Sequence, residues 1–269
     1  MREKILLVGE QNTCKSMSLV ALARLYPNSK VVILDPDDGT EKTAMEMYGE
    51  LPANLMVIPV NDDWKSLMDV YKQVKQTLTA KDWLCLDMLG RFWDLAQQYY
   101  STYVFGCDPI EHLIMLRKEA DKGKEMKAVQ FSGFDGLTDW TIIKRLHNEQ
   151  LMDDAVIRSP FNIMCTTSTG SFLPVEKMPK VGTTGIYASE FGIKVEGEKH
   201  NVYRFDTQAV LYRKKEGTYH FRLVRDRGRA INIATEYDIT NKTFMDVYAQ
   251  IRGMHLPEEV VETNNEQGD

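Results

Sequence analysis

The chain is short of cysteine, of long apolar runs and of any repeated unit. Its four cysteines, Cys14, Cys85, Cys107 and Cys165, lie far apart in 269 residues, with no CxxC pair and no histidine at metal-ligand spacing. That excludes a disulfide framework and a structural zinc site and makes reduced thiols the expectation. No run approaches the roughly 18 consecutive apolar residues of a membrane-spanning helix. The start, Met1-Arg2-Glu3-Lys4, leads into a short apolar run, Ile5-Leu6-Leu7-Val8. A signal peptide needs a longer apolar core, so a cytoplasmic protein with no membrane partner is expected. No segment repeats at a period of roughly 20–50 residues, which excludes a solenoid or propeller. At 43% hydrophobic and 27% charged, the chain is neither disordered nor fibrous. At about 150 residues per domain, its length fits one or two domains.

Net charge is −6, from 33 basic and 39 acidic residues. Most of it sits in residues 256–269, where Glu258, Glu259, Glu262, Glu266 and Asp269 stand without a single Lys or Arg. The remaining body is near neutral, so global charge does not argue against an anionic ligand. The acidic end reads as a disordered tail. It serves either to recruit a partner or compete for a basic loop, or merely to solubilise.

Along the first 90 residues short apolar runs alternate with helical spacing. Strands are expected at Ile5–Val8, Val31–Leu34, Leu55–Pro59 and Trp83–Leu86. Helices are expected at Lys15–Leu25, on to about Tyr48, and at Trp64–Leu78. This alternation predicts an α/β fold with a mostly parallel central sheet and flanking helices. Residues 91–158 read as a largely helical insertion with a Lys-rich stretch from Arg117 and Lys118 to Lys127, more in keeping with a solvated face than with a site. Phe161–Cys165 is strand-like. Residues 168–200, rich in Gly, Thr, Lys and Pro, read as one long flexible loop, and loops of that length are usually functional or disordered. Val202–Tyr212 and Tyr219–Val224 flank Gly217 as a C-terminal antiparallel hairpin, and Thr243–Ile251 closes the chain as a helix. A body over 1–255 followed by the tail 256–269 is the expected organisation.

The segment that carries chemistry is Gly9-Glu10-Gln11-Asn12-Thr13-Cys14-Lys15-Ser16. It follows a buried strand and opens a helix, the context of the phosphate-binding loop GxxxxGK[ST]. There backbone N–H groups and a helix N-terminus face phosphates, the lysine neutralises their oxygens and the serine hydroxyl meets Mg²⁺. The nucleotide contacts expected are Gly9, Gln11, Asn12, Thr13, Cys14, Lys15, Ser16 and Met17. The second glycine of the pattern is replaced by Cys14, which puts a side chain where backbone should approach phosphate. Asp87 ends the run Trp83-Leu84-Cys85-Leu86 and is the candidate metal carboxylate beside Ser16; the alternative is a helix cap. Asp37, in Asp35-Pro36-Asp37-Asp38-Gly39, is a candidate general base for water, with Asp38 competing and ordinary turn chemistry as the alternative.

On these residues the chain resembles the RecA-like ATPases, and more narrowly the small phage-encoded ones that act on single-stranded DNA in recombination, annealing or replication. The resemblance is at motif level over residues 3–232. It implies ATP and Mg²⁺ as cofactors and DNA-stimulated hydrolysis through Lys15, Asp37 and Asp87, in the host cytoplasm if the source is a phage. Asp35-Pro36-Asp37 matches the family's D-x-E pattern, with Asp for Glu. It implies that Arg225 and Arg227, at the end of the hairpin, reach the phosphate bound by a neighbouring subunit, with Arg229 as an alternate. Such fingers imply a homo-oligomeric ring or filament. Within Thr166-Thr167-Ser168 it points to Thr167 as a phosphate sensor. The long loop occupies the position of the family's DNA-binding loops, and Phe172, Lys177, Lys180 and Tyr187 are the contacts it suggests, by charge and base stacking. A single-strand-binding or recombination protein is a further partner it allows. Two other classes fit the loop: a degenerate NTPase that binds nucleotide structurally as an assembly or DNA-binding module, and a small-molecule kinase. The kinase predicts a monomer or dimer without DNA affinity, and the hairpin with its Arg-x-Arg argues against it.

Overall fold

Ile5 to Val8 shows no polar alternation, the pattern of a strand covered on both faces. In the computed structural model, which describes residues 2–60, 63–121, 137–170, 182–227 and 235–253, this run is the heart of strand β1, Lys4–Gly9. It leads through a tight loop into helix α1, Lys15–Leu25. Then come β2 (Val31–Asp35), α2 (Thr40–Tyr48), β3 (Leu55–Pro59), α3 (Trp64–Thr77), β4 (Trp83–Leu86) and α4 (Leu89–Phe105). Helix α5 (Pro109–Asp121) follows. Helix α6 (Thr138–Arg145) runs on into a π-helix, Leu146–Arg158. The remaining elements are β5 (Asn162–Thr167), β6 (Thr169–Gly170), α7 (Gly182–Phe191), β7 (Lys194–Val195), a 3₁₀ turn (Asn201–Tyr203), β8 (Thr207–Arg213), β9 (Tyr219–Asp226), β10 (Glu236–Asp238) and α8 (Phe244–Ile251).

The main sheet has the order β10-β9-β8-β1-β5-β4-β2-β3. From β8 to β3 every pairing is parallel; β9 and β10 are added antiparallel. The expected class, a mostly parallel α/β sheet with flanking helices and an antiparallel C-terminal hairpin, is the one the chain adopts. Successive β1 residues alternate between two cores, as strand geometry requires. Leu6 and Val8 pack with α3, α4, the π-helix and Tyr187 of α7; Ile5 and Leu7 pack with α1, Ala44 of α2 and α8.

Caps and tethers set the helix ends. The Asp63 carboxylate accepts from the N–H groups of Lys65 and Ser66, and Thr243 forms a capping box with Asp246 at the start of α8. The Arg2 guanidinium donates to the carbonyls of Ala155 (2.7 Å) and Val156 (2.9 Å), meeting acceptors that the last π-helical turn leaves open.

The structure differs from the sequence reading chiefly in 168–200. Thr169–Gly170 pairs with Lys194–Val195 as a two-stranded ribbon, and Gly182–Phe191 is helical. The Gly and Thr content of α7 gives weak helix propensity; burial of Gly185, Tyr187 and Ala188 supplies what propensity does not. Phe172, Lys177, Lys180, Arg229, the lysines from 122 to 127 and the acidic tail lie outside the described residues.

His147, in the π-helix, is fully buried, with its ring edge-on to Trp93 at 5.3 Å and Nε2 lacking a hydrogen-bond partner. Burial lowers its pKa to about 4; the charges of Glu198 and Asp153 oppose this, and Arg204 adds to it. The unfolded chain takes up this proton near pH 6.5 and the folded chain only near 4, so stability is lost as pH falls through that window. Urea denaturation from pH 7 to 4 should show about 3 kcal/mol of acid-induced loss from this residue. In His147→Leu that component of the pH slope should vanish; an unchanged slope would refute the assignment.

Candidate functional site

The loop from β1 to α1 leaves the sheet at the carboxyl ends of the parallel strands. Gly9 is required there by space: a Cβ would lie 2.5 Å from both the Leu211 carbonyl oxygen and Thr13 Oγ1. Leu211 belongs to β8, which pairs with β1, so the neighbouring strand presses on the loop's first residue. Thr13 is buried and its hydroxyl donates to the Glu10 carbonyl at 2.8 Å, closing the turn; Gln11 and Asn12 point to solvent. Asn12 and Cys14 have positive φ, 58° and 65°. Cys14 therefore stands at a left-handed position, the conformation that explains why the motif ordinarily has glycine there. It is the N-cap of α1 without a side-chain hydrogen bond, so the first N–H groups of α1 receive no side-chain cap and face the mouth of the loop.

Lys15 is buried. Its ammonium donates to the carbonyls of Gly9 (2.8 Å) and Glu10 (2.5 Å). Burial lowers its pKa, and the nearby Asp87 carboxylate works in the opposite direction. Ser16 donates from Oγ to Asp87 Oδ2 at 2.7 Å. Two more hydroxyls converge on Asp87: Thr166 bonds Oδ1, and Thr40 Oγ1 stands 3.4 Å from Oδ2. Asp87 is itself buried, and burial raises its pKa; the bonds from Thr166 and Ser16 and the charge of Lys15 pull it down, while Asp35 adds to the rise. A buried carboxylate with one lysine nearby has room for further positive charge.

The Asp35-Pro36-Asp37 segment divides its roles. Asp35 is buried and accepts from the N–H groups of Asp37 (3.1 Å), Gly39 (2.9 Å) and Thr40 (2.7 Å). It holds the turn that delivers Thr40 to Asp87. Asp37 is half exposed and pairs with Arg91 of α4 at 3.3 Å. Asp38 takes the left-handed conformation, φ 52°, common for Asp.

Thr166, rather than Thr167, reaches Asp87. Thr167 donates instead to the Glu196 carbonyl at 3.1 Å, because consecutive strand residues point to opposite faces. The sequence signal for Thr166 was its place in the same polar cluster; nothing local distinguished it. Thr40 lay one residue beyond the Asp-Pro-Asp-Asp-Gly turn and read as the start of a helix.

The two arginines assigned to a neighbour lie at the far end of the sheet. Strand β9 runs against β8, so Tyr219 aligns with Arg213 at the loop end and Asp226 with Thr207 at the other. Arg227 pairs there with Asp206 at 3.6 Å. Neither arginine shares an end of the sheet with its own chain's loop. Tyr187 is 1% exposed and donates to Gln208 at 3.0 Å; as placed, it is a core residue, not a surface on which a base can stack. Between the loop and the β8–β9 turn opens a cleft of about 920 Å³, with Gln11 and Asn12 on one wall and Arg213, Lys214, Lys215 and Arg222 on the other. Lys214 is paired with Glu236, and Arg222 with Glu190 at 2.6 Å.

The donor set suits a hard divalent cation. A serine hydroxyl and a carboxylate next to a phosphate-type loop are oxygen donors, and Mg²⁺ is usually held by one or two such groups together with substrate phosphates. Among the described residues no three His, Cys, Asp or Glu side chains converge to hold a metal alone, so a cation here would need the ligand's oxygens.

No protein-family model matches the chain, and no curated protein does. Among solved structures it is similar to one titled "Crystal structure of the RadB recombinase", at 10% identity over 88% of this chain and 86% of that chain, with a TM-score of 0.47. So distant a likeness carries no argument about chemistry, which rests on the geometry above.

Two substitutions in the loop should act in opposite directions. Cys14→Gly relieves a left-handed non-glycine residue and should raise stability by about 1 kcal/mol. Gly9→Ala drives a methyl into Leu211 and Thr13 and should cost about 2 kcal/mol. Thermal and urea denaturation of both variants check the signs.

Proposed function

We propose that the chain binds ATP with Mg²⁺ as an oligomeric RecA-type ATPase and acts on single-stranded DNA, in phage recombination, annealing or replication. The observation that carries the nucleotide site is the 2.7 Å bond from Ser16 to Asp87 directly behind a glycine-to-lysine loop at the N-terminus of α1. In this reading the loop N–H groups bind phosphate oxygens. The Lys15 ammonium leaves the Gly9 and Glu10 carbonyls for them. Ser16 and Asp87 would hold the cation, which would supply positive charge to offset that of the phosphates. Asp37 orients water once freed from Arg91. The placement of Arg225 and Arg227 at the other end of the sheet supports a role on a second copy's phosphates, where guanidinium groups stabilise charge in transfer. Arg213 and Lys215 on the cleft wall, where Lys214 and Arg222 are already paired with glutamates, support an anionic ligand extending beyond the phosphate loop. DNA contact by Phe172, Lys177 and Lys180 remains part of the proposal; Tyr187 does not.

Two observations favour a second reading, a nucleotide-binding assembly module with little turnover. Cys14 places a side chain at the motif's glycine position, and Asp37 is already paired with Arg91.

The test measures binding of a fluorescent ATP analogue and ATP hydrolysis, with and without single-stranded DNA, for the native chain and Lys15→Ala. Lys15→Ala should weaken binding at least about 10-fold, as expected for loss of a charge-assisted contact, and abolish DNA-stimulated turnover. Arg225→Ala with Arg227→Ala should keep binding and lose turnover. Nucleotide bound without turnover supports the second reading. A native chain that binds no nucleotide refutes both.

A further inference from the structure

We propose that Thr166 is a positioning residue for the metal of the nucleotide site, acting through Asp87 and Ser16; the proposal rests on the nucleotide-binding reading above. Asp87 is the residue after β4, and Thr166 lies on the adjacent parallel strand β5. The register pairs Leu86 with Cys165, so the next residues on each strand, Asp87 and Thr166, come level with one another. Side chains level on neighbouring strands are close enough to bond directly, and here the Thr166 hydroxyl bonds Asp87 Oδ1.

The two carboxylate oxygens are used unequally. Oδ2 takes the Ser16 hydroxyl at 2.7 Å, with the Thr40 hydroxyl at 3.4 Å as a second, weaker neighbour. Oδ1 takes Thr166, a fully buried residue. With Oδ2 held by Ser16, the Thr166 bond to Oδ1 is what holds the carboxylate against rotation about that contact, and the β-branched Thr166 side chain is stiff at χ1. A serine hydroxyl has one proton and two lone pairs. With the proton directed to Asp87, the lone pairs of Ser16 are left for a cation. The order of control runs from Thr166 to the Asp87 plane, from that plane to the Ser16 proton, and from the proton to the direction of the Ser16 lone pairs. Thr166 touches neither phosphate nor cation in this scheme. Outer groups that orient a ligand of a metal change metal affinity about 10- to 100-fold when removed.

The test compares the affinity of a fluorescent ATP analogue in Mg²⁺ and in EDTA for the native chain, Thr166→Val and Thr166→Ser, with circular dichroism to confirm folding. The native chain should bind more tightly in Mg²⁺. Thr166→Val should reduce that Mg²⁺ advantage about 10-fold and leave the affinity in EDTA within about twofold. Thr166→Ser keeps the hydroxyl and should restore most of the advantage. Should Thr166→Val not fold, Thr166→Ala takes its place as the hydroxyl-free variant. An unchanged Mg²⁺ advantage in the hydroxyl-free variant overturns the role of Thr166 alone. Equal loss in Mg²⁺ and EDTA also overturns it, marking a merely structural residue. A native chain with nucleotide affinity but no Mg²⁺ advantage overturns the metal site itself, and one with no nucleotide affinity overturns the underlying reading.

Discussion

The site depends on a carboxylate kept almost wholly out of water. Asp87 occupies the end of an apolar strand, and burial alone would favour its neutral form. It is made tolerable by hydroxyls drawn from separate elements: Ser16 from α1, Thr166 from β5 and, at longer range, Thr40 from α2. Each donor is in place only because another part of the fold delivers it. Asp35 holds the turn before α2, the β4–β5 register sets Thr166 level with Asp87, and the loop after β1 ends with Ser16 in the first turn of α1. One buried anion thus ties the first half of the chain to β5.

The wider architecture serves the same end of the sheet. Parallel strands with helices on both faces collect their carboxyl ends on one edge, where Gly9, Asp35, Asp87 and Thr167 come together. Strand β8 adds something the parallel core does not: its Leu211 carbonyl closes on Gly9 and leaves no room for a side chain. The antiparallel hairpin beyond it brings Arg213, Lys214 and Lys215 to the loop end and carries Arg225 and Arg227 away from it.

Much of this was legible in the residues. Continuous apolar runs marked β1, β2 and β4, because strands covered on both faces need no polar alternation, and the loop motif marked Lys15 and Ser16. The register-dependent parts were not legible. Which of Thr166 and Thr167 faces Asp87 is a matter of side-chain parity against a strand some eighty positions away in sequence, and parity is not visible from one strand alone. Asp35 looked like one of several turn acids; only its three backbone bonds separate it from Asp37. Helix α7 was hidden by its glycines and threonines, and Tyr187 looked like a surface aromatic because nothing in its neighbours signals Gln208 as a partner.

The phosphate-type loop springs from an interior strand. In the order β10-β9-β8-β1-β5-β4-β2-β3, β1 has three strands on one side and four on the other. Fraying from the sheet edges has to travel through several paired strands before it reaches Gly9. The frame that meets a ligand is therefore as persistent as the folded molecule itself. A ligand held by this loop would add to global stability rather than to a local closure, since mass action on the native state strengthens the whole sheet, and the amides of β1 should be among the last to exchange with solvent.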